Sequence, residues 1–245
     1  MSQTQSVRTS PQPAEQTAPG HSLGPDAAVE DYVKAIYSLE LRGAESVATT
    51  ELALRLGVAA PAASAMARRL AERGLVRHEP YRGIELTEEG RRLALEVMRH
   101  HRLIETFLAE ELGMPWDRVH EEADVLEHVI SEDLEALIAR KLGDPRRDPH
   151  GDPIPTADLR IVEDELRSLA EMEEGESGVF VRVSDSDPEM LRYLAQRGIA
   201  PGERLEVLER QPFGGPLLVR IGGRTHPLGG ELATAMRIGP AGSTL

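Results

Sequence analysis

Four prolines fall within Gly143-Asp-Pro145-Arg-Arg-Asp-Pro149-His-Gly-Asp-Pro153-Ile-Pro155. Each lacks a backbone donor and fixes φ, so no helix can run through this stretch. A stiff extended crossing is expected instead. Before it, apolar residues recur at helical spacing; one further helix is expected after it, at residues 156–171. Beyond Gly175 the texture changes. Val179-Phe-Val181-Arg-Val183, Arg204-Leu-Glu-Val207-Leu-Glu and Leu217-Leu-Val219-Arg-Ile221 alternate as strands do, between Gly and Pro breaks. A short helix is expected at Pro188 to Gln196, within a small β-barrel of the Src-homology-3 kind. The expected class is mainly α with a small β part. Its divisions are a disordered tail (1–24), a winged helix-turn-helix (25–95), a helical domain (96–172) carrying the proline-rich crossing (143–155), and the barrel (173–240).

The N-terminal signals are specific. Val29 to Leu39 has helical spacing and stops at Gly43; Thr49-Thr50-Glu51 caps a short helix that ends at Gly57. Pro61 suits the first turn of the next helix, which Gly74 closes. Leu75-Val-Arg77-His and Ile84-Glu-Leu86 then read as strands joined by Pro80-Tyr-Arg-Gly83. Helix, turn, helix and hairpin in this order describe a winged helix-turn-helix, with the second helix in the major groove of duplex DNA. Arg68, Arg69 and Arg73 lie on or just past that helix, and Tyr81 and Arg82 at the wing tip. Pro61, Ala62 and Ser64 open it and offer few bidentate base contacts, so phosphates and DNA shape are expected to carry much of the recognition.

Chemistry concentrates in His120-Glu-Glu-Ala-Asp124-Val-Leu-Glu127-His128. On a helix, His120, Asp124, Glu127 and His128 share a stripe about 100° wide. Imidazoles and carboxylates on it could converge on a divalent cation. His101 and Glu105, on an earlier helix, repeat the i, i+4 spacing. The same stripe lies opposite Val125, Leu126, Val129, Ile130 and Leu137, as an ordinary solvated face would. Two histidines in it, and the second pair upstream, favour metal. Helices are expected at 101–112 and, unbroken, at 117–141. His100 and His150 are expected at the surface, His226 in a barrel turn, and His21 in the tail.

Composition narrows the classes. The 245 residues contain no cysteine, which excludes disulfides, thiolate zinc sites and iron–sulfur clusters and suits the cytoplasm. No run is long enough to span a membrane, and the N-terminus lacks a signal-peptide pattern. A net charge of −14 argues against general polyanion binding, yet Arg68 to Arg92 holds seven arginines against five glutamates.

Val29-Glu-Asp-Tyr-Val-Lys-Ala-Ile-Tyr, the helix-turn-helix, Arg99-His-His101-Arg-Leu-Ile-Glu105, the His120–His128 stretch and His150-Gly-Asp-Pro-Ile-Pro155 follow the order seen in the diphtheria toxin repressor family. The chain resembles these iron- or manganese-activated regulators from residue 26 to about 238, including a barrel of the FeoA type. The resemblance implies a primary metal site of Asp31, Asp124, Glu127 and His128 and an ancillary site of His101, Glu105 and His120. Some members add a ligand from the barrel; in Ser184-Asp185-Ser-Asp187-Pro-Glu189-Met190, Asp187 is the first candidate and Glu189 the second. Iron-responsive members place methionine and cysteine where this chain has Asp31 and Asp124. Manganese regulators carry carboxylates there, but use a glutamate where this chain has Lys34.

Oxygen donors with imidazole suit Mn²⁺ or Fe²⁺, although other divalent metals would also bind in vitro. The expected protein is therefore a homodimeric, Mn²⁺-activated repressor of metal-uptake genes on double-stranded operator DNA, with no small organic substrate. Its dimer surface is expected among residues 95–140. The alternatives are an iron-dependent regulator of the same family, or a helical metalloprotein or di-metal enzyme that never touches DNA. Adjacent Glu127 and His128 lack the Glu-x-x-His spacing of di-metal bundles, and Asp124 stands where a zincin needs its second histidine.

Overall fold

The computed structural model describes residues 26–79, 82–162 and 164–242. The expected tail, His21 and Tyr81 lie outside the described residues. Helices α1 (Ala27–Leu41), α2 (Thr49–Leu56) and α3 (Ala60–Glu72) precede an antiparallel hairpin of β1 (Val76–Glu79) and β2 (Gly83–Leu86). Gly57, in the left-handed region at φ 65°, makes the turn between α2 and α3. Val33, Ile36, Leu52, Ala63, Ala67, Leu70 and Ile84 form the core of this module.

One 23-residue helix, α4 (Glu88–Glu110), takes in most of the helix expected at 101–112 and begins well before it. The Thr87 hydroxyl caps it by accepting from Gly90 N, and nothing in the sequence interrupts the apolar stripe that follows. Conversely, the unbroken helix expected at 117–141 is two helices, α5 (Val119–Leu126) and α6 (Glu132–Lys141). Ser131 accepts from Leu134 N and starts a new helix with Glu132 and Asp133 in its first turn. Glu127 and His128 thus sit at and just beyond the end of α5, in a bend.

No helix occupies residues 156–162 or 164–168. Leu159 takes φ 56°, and Leu169, which lent this stretch its helical spacing, belongs to another core. β3 (Arg167–Ser168) runs into a single 3-10 turn over Leu169–Glu171, closed by reciprocal Ser168 and Glu171 hydrogen bonds. β3 pairs with β8 (Arg237–Gly239), so the β part begins before residue 173. Between them lie β4 (Ser177–Arg182), α7 (Pro188–Ala195), β5 (Arg204–Arg210), β6 (Leu217–Ile221), β7 (Arg224–Leu228) and α8 (Gly230–Ala235). The sheet is antiparallel throughout, in the order β3-β8-β4-β5-β6-β7. Phe180, Leu191, Leu194, Val207, Val219 and Leu228 fill its core. His226 is buried in β7 opposite Val219, not in a turn, because it falls on the inward side of the alternation.

The proline-rich crossing joins the helical and β parts. Arg99 Nη1 donates to Pro155 O (2.7 Å), Arg102 Nη1 to Pro153 O (2.5 Å), and Val183 N to His150 O (3.0 Å). Gly151, at φ 89°, passes so close to β4 that a Cβ would stand 1.8 Å from Val181 O. Gly151→Ala is expected to lower the free energy of unfolding by about 2 kcal/mol or more, because backbone must move. Gly143→Ala, also at positive φ but with nothing within 4 Å of its Cβ position, should cost about 1 kcal/mol. Urea denaturation of both variants checks the contrast; equal losses would refute it.

Candidate metal centre

α4 carries His101 and Glu105 one turn apart, and α5 lays His120 across them. His101 Nε2 stands 3.1 Å from Glu105 Oε1 and 3.1 Å from His120 Nδ1. His120 Nδ1 lies 3.3 Å from Glu105 Oε1 and 3.1 Å from Asp185 Oδ2, which arrives on the loop after β4. Donor atoms of His101, Glu105, His120 and Asp185 all fall within 4.8 Å of one another.

A second group joins α1 to the bend after α5. His128 Nε2 is 3.2 Å from Asp31 Oδ1 and 3.5 Å from Glu127 Oε1. The other nitrogen, Nδ1, meets Glu30 Oε2 at 2.6 Å. Asp124 clusters with His101 and Glu127: its Oδ1 lies 3.4 Å from His101 Nδ1, and the same nitrogen is 2.5 Å from Glu127 Oε2. His101 therefore bridges the two groups, where the sequence suggested only one role for it. Lys34 Nζ reaches Glu127 Oε1 at 2.6 Å and Asp124 Oδ1 at 3.2 Å. Of these side chains, Asp31, Lys34, His101, His120, Asp124 and Asp185 line a cleft of about 1150 Å³ between the three parts of the fold.

Asp187 and Glu189 are not brought to either group. Asp187 Oδ1 accepts from Glu189 N and Met190 N and caps α7, while Glu189 lies in its first turn. Asp185, two residues earlier, is the residue that reaches His120. Asp-Pro-Glu is a helix-start signature, so Asp187 was already committed to a cap, and that signal in the sequence leaves Asp185 as the available carboxylate. His150 is also missed by sequence reasoning. It is fully buried, not exposed, stacks on Trp116 at 5.8 Å, and gives Nε2 to Trp116 O at 2.8 Å. Its Nδ1 faces Glu105 Oε2 at 3.7 Å. His100 is buried too, against Glu132 and Glu135.

The electrostatics follow from carboxylates enclosed with imidazoles. Burial alone would lower the histidine values, but the carboxylates outweigh it. Glu105 and Glu127 push His101 up to about 9. Asp31 and Glu30 push His128 up to about 9, and Asp185 and Glu105 push His120 up to about 11. Burial raises Asp185, but His120 outweighs it and brings the carboxyl down to about 2. Burial opposes a charged Lys34, yet Glu127 and Asp124 raise its value. Such a set concentrates negative charge around nitrogen donors, and its hard oxygens with imidazole fit a divalent cation of the Mn²⁺ or Fe²⁺ type.

On the DNA-binding module, Pro61, Ala62 and Arg68 are exposed on α3 and Ser64 is half-buried. Arg68 Nε donates to Ser64 O at 3.3 Å, and Arg69 is half-buried. Arg73 pairs with Asp26 at 2.8 Å and Arg82 with Glu79 at 3.2 Å, both at the surface where such pairs exchange readily. Among the described residues no helix is long and apolar enough to cross a membrane.

Three family profiles match the chain in succession. "Iron dependent repressor, N-terminal DNA binding domain" covers residues 26–84, "Iron dependent repressor, metal binding and dimerisation domain" covers 87–156, and "FeoA domain" covers 167–240. The iron-dependent repressor IdeR of Mycobacterium tuberculosis is 36% identical over 222 residues, 85% of this chain and 95% of its own. The diphtheria toxin repressor of Corynebacterium efficiens is 34% identical over 221 residues, 85% of this chain and 94% of its own. Among solved structures, a manganese-dependent transcriptional repressor in complex with manganese is 47% identical. The match covers 86% of this chain and 98% of that one, with a TM-score of 0.78. These matches, running through all three parts of the fold, place the chain in the diphtheria toxin repressor family of metal-dependent transcriptional repressors.

Proposed function

We propose that this repressor is a homodimer activated by Mn²⁺ in preference to Fe²⁺, acting in the cytoplasm on operators of metal-uptake genes. Asp31, Asp124, Glu127 and His128 form its regulatory ligand set; His101, Glu105, His120 and Asp185 form an ancillary one. One observation carries this reading. Asp31, on a helix of the DNA-binding module, stands 3.2 Å from His128 beyond the end of α5. When bound, the metal supplies a divalent positive charge that these carboxylates and imidazoles share.

The chain's own residues do the rest. Asp31 ties α1 to the helical part, and α1 packs on α2 and α4. Holding α1 therefore fixes the attitude of α3, which presents Pro61, Ala62, Ser64, Arg68, Arg69 and Arg73 to DNA, with Arg82 on the wing. In a dimer this favours two copies of α3 spaced by one DNA turn, about 34 Å. A hundredfold preference of the ligand for that arrangement is worth about 2.7 kcal/mol. Val125, Leu126, Val129, Leu134 and Leu137 are exposed on α5, α6 and the bend, and they supply the apolar face for the second copy. Lys34 already gives Asp124 and Glu127 one positive charge, which favours a single regulatory cation. The oxygen-rich set, with no thiolate or thioether, favours manganese. Fe²⁺ is the second reading, supported by the iron-dependent relatives.

Asp31→Ala and His128→Ala are each expected to abolish Mn²⁺-dependent operator retardation in gels while leaving the far-ultraviolet circular dichroism unchanged. An unaltered metal response in both would sink the assignment, and a stronger shift with Fe²⁺ than with Mn²⁺ in the wild type would decide for iron.

Protons compete with the metal. His101 and His128 hold theirs up to about 9, against an ordinary 6.5. A raised value stabilises the metal-free fold fully below 6.5, and that contribution is lost as pH rises through 9. Metal binding must release those protons, so apparent Mn²⁺ affinity should climb between pH 6.5 and 9 with proton release into a weak buffer. A flat profile in a competition titration against a chelator would contradict this.

Arg68→Ala should weaken binding about equally on different operators and reduce the slope of log affinity against log salt by about 1. Measuring the slope between two salt concentrations tests it; a sequence-selective loss would assign Arg68 to base readout instead.

A further inference from the structure

A third group of donors lies apart from the two described. Glu96 and His100 occupy successive turns of α4, and Glu132 opens α6. Their ligand atoms fall within 4.8 Å of one another. His100 is the telling member. Its side chain is only 9% exposed, and Nε2 has no hydrogen-bonding partner. Carboxylate oxygens nonetheless face it, Glu135 Oε2 at 3.2 Å and Glu132 Oε1 at 3.6 Å, without making a hydrogen bond. A buried ring nitrogen left without a partner is destabilising unless something satisfies it.

The charges around it are only partly compensated. Glu135 spends its other oxygen on Arg99 Nε, at 2.6 Å. Burial and the Glu132 carboxylate both push the Glu96 carboxyl above the usual range, and His100 and Arg92 offset this only partly. One imidazole nitrogen and two carboxylates converge where negative charge is only partly offset.

We propose that Glu96, His100 and Glu132 form a third divalent-cation site, separate from the regulatory and ancillary sets. One nitrogen and two or more oxygens suit a transition-metal cation such as Mn²⁺ or Zn²⁺. The site clasps the first turn of α6 to the middle of α4, immediately after the bend that carries Glu127 and His128. Its effect is to fasten the far end of that bend, whichever donors regulate DNA binding.

The test uses the full chain with Mn²⁺ alone. Crystals grown with Mn²⁺ should give an anomalous-scattering peak about 2.1 Å from His100 Nε2, flanked by Glu96 and Glu132. Equilibrium dialysis should find one fewer equivalent of Mn²⁺ per chain in Glu132→Gln than in the wild type. Glu132 is 74% exposed, so its substitution leaves the fold intact, and His100→Gln should repeat the loss. Unchanged stoichiometry in both variants, with no peak beside His100, would overturn the proposal and leave His100 as a structural side chain packed against Glu132 and Glu135. Loss of metal-dependent DNA binding in Asp31→Ala with the His100 peak retained would leave this site standing on its own.

Discussion

The Glu127 carboxylate is the charge around which the helical part is arranged. Its side chain is 0% exposed, and one oxygen faces Lys34 and His128 while the other faces His101. An ionised carboxylate taken wholly out of water must be matched by partners on every side, or the fold is penalised by several kcal/mol. The partners come from three places: α1, α4 and the bend after α5. Removing that charge would leave Lys34 and His101 without the group that raises both of them. The DNA-binding module and α4 therefore meet at a single enclosed group, which Lys34 and His101 contact from the two sides.

Much of this was legible in the sequence, and the failures have identifiable physics. The winged module was readable because Gly57, Pro61 and Gly74 punctuate it and its apolar spacing is regular. The pairing of His101 with Glu105 was readable because i, i+4 residues share a helix face. The split between α5 and α6 was missed because the apolar stripe continues across it, and only the Ser131 cap marks the break. The helix expected at 156–171 failed because its apolar residues serve a different core from the one their spacing suggested. Asp185 was passed over for Asp187 because both lie on one loop, and only the competing task of capping α7 separates them. The burial of His100 and His150 depends on which segment crosses α4, a long-range fact that no local pattern records.

The chain belongs to a family of repressors, not of enzymes, and its chemistry agrees in kind. His101, His120 and His128 each have carboxylate neighbours that favour the protonated ring. That is an arrangement that holds positive charge. The acidic overall charge of −14 and the local arginine excess near α3 divide the surface between two tasks. An arginine-rich patch favours contact with polyanions, and an acidic remainder disfavours it.

Asp185 is fixed on both sides within a few residues. Upstream, Val183 N is bonded to His150 O in the crossing; downstream, Asp187 is locked as the cap of α7. Ser184 and Ser186 share a hydroxyl contact of 2.8 Å over the short loop between. A side chain anchored on both sides has little slack in its backbone, and Asp185 Oδ2 stands 3.1 Å from His120 Nδ1. The β domain thereby acts as a strut, holding one carboxylate at a set reach from the helical part.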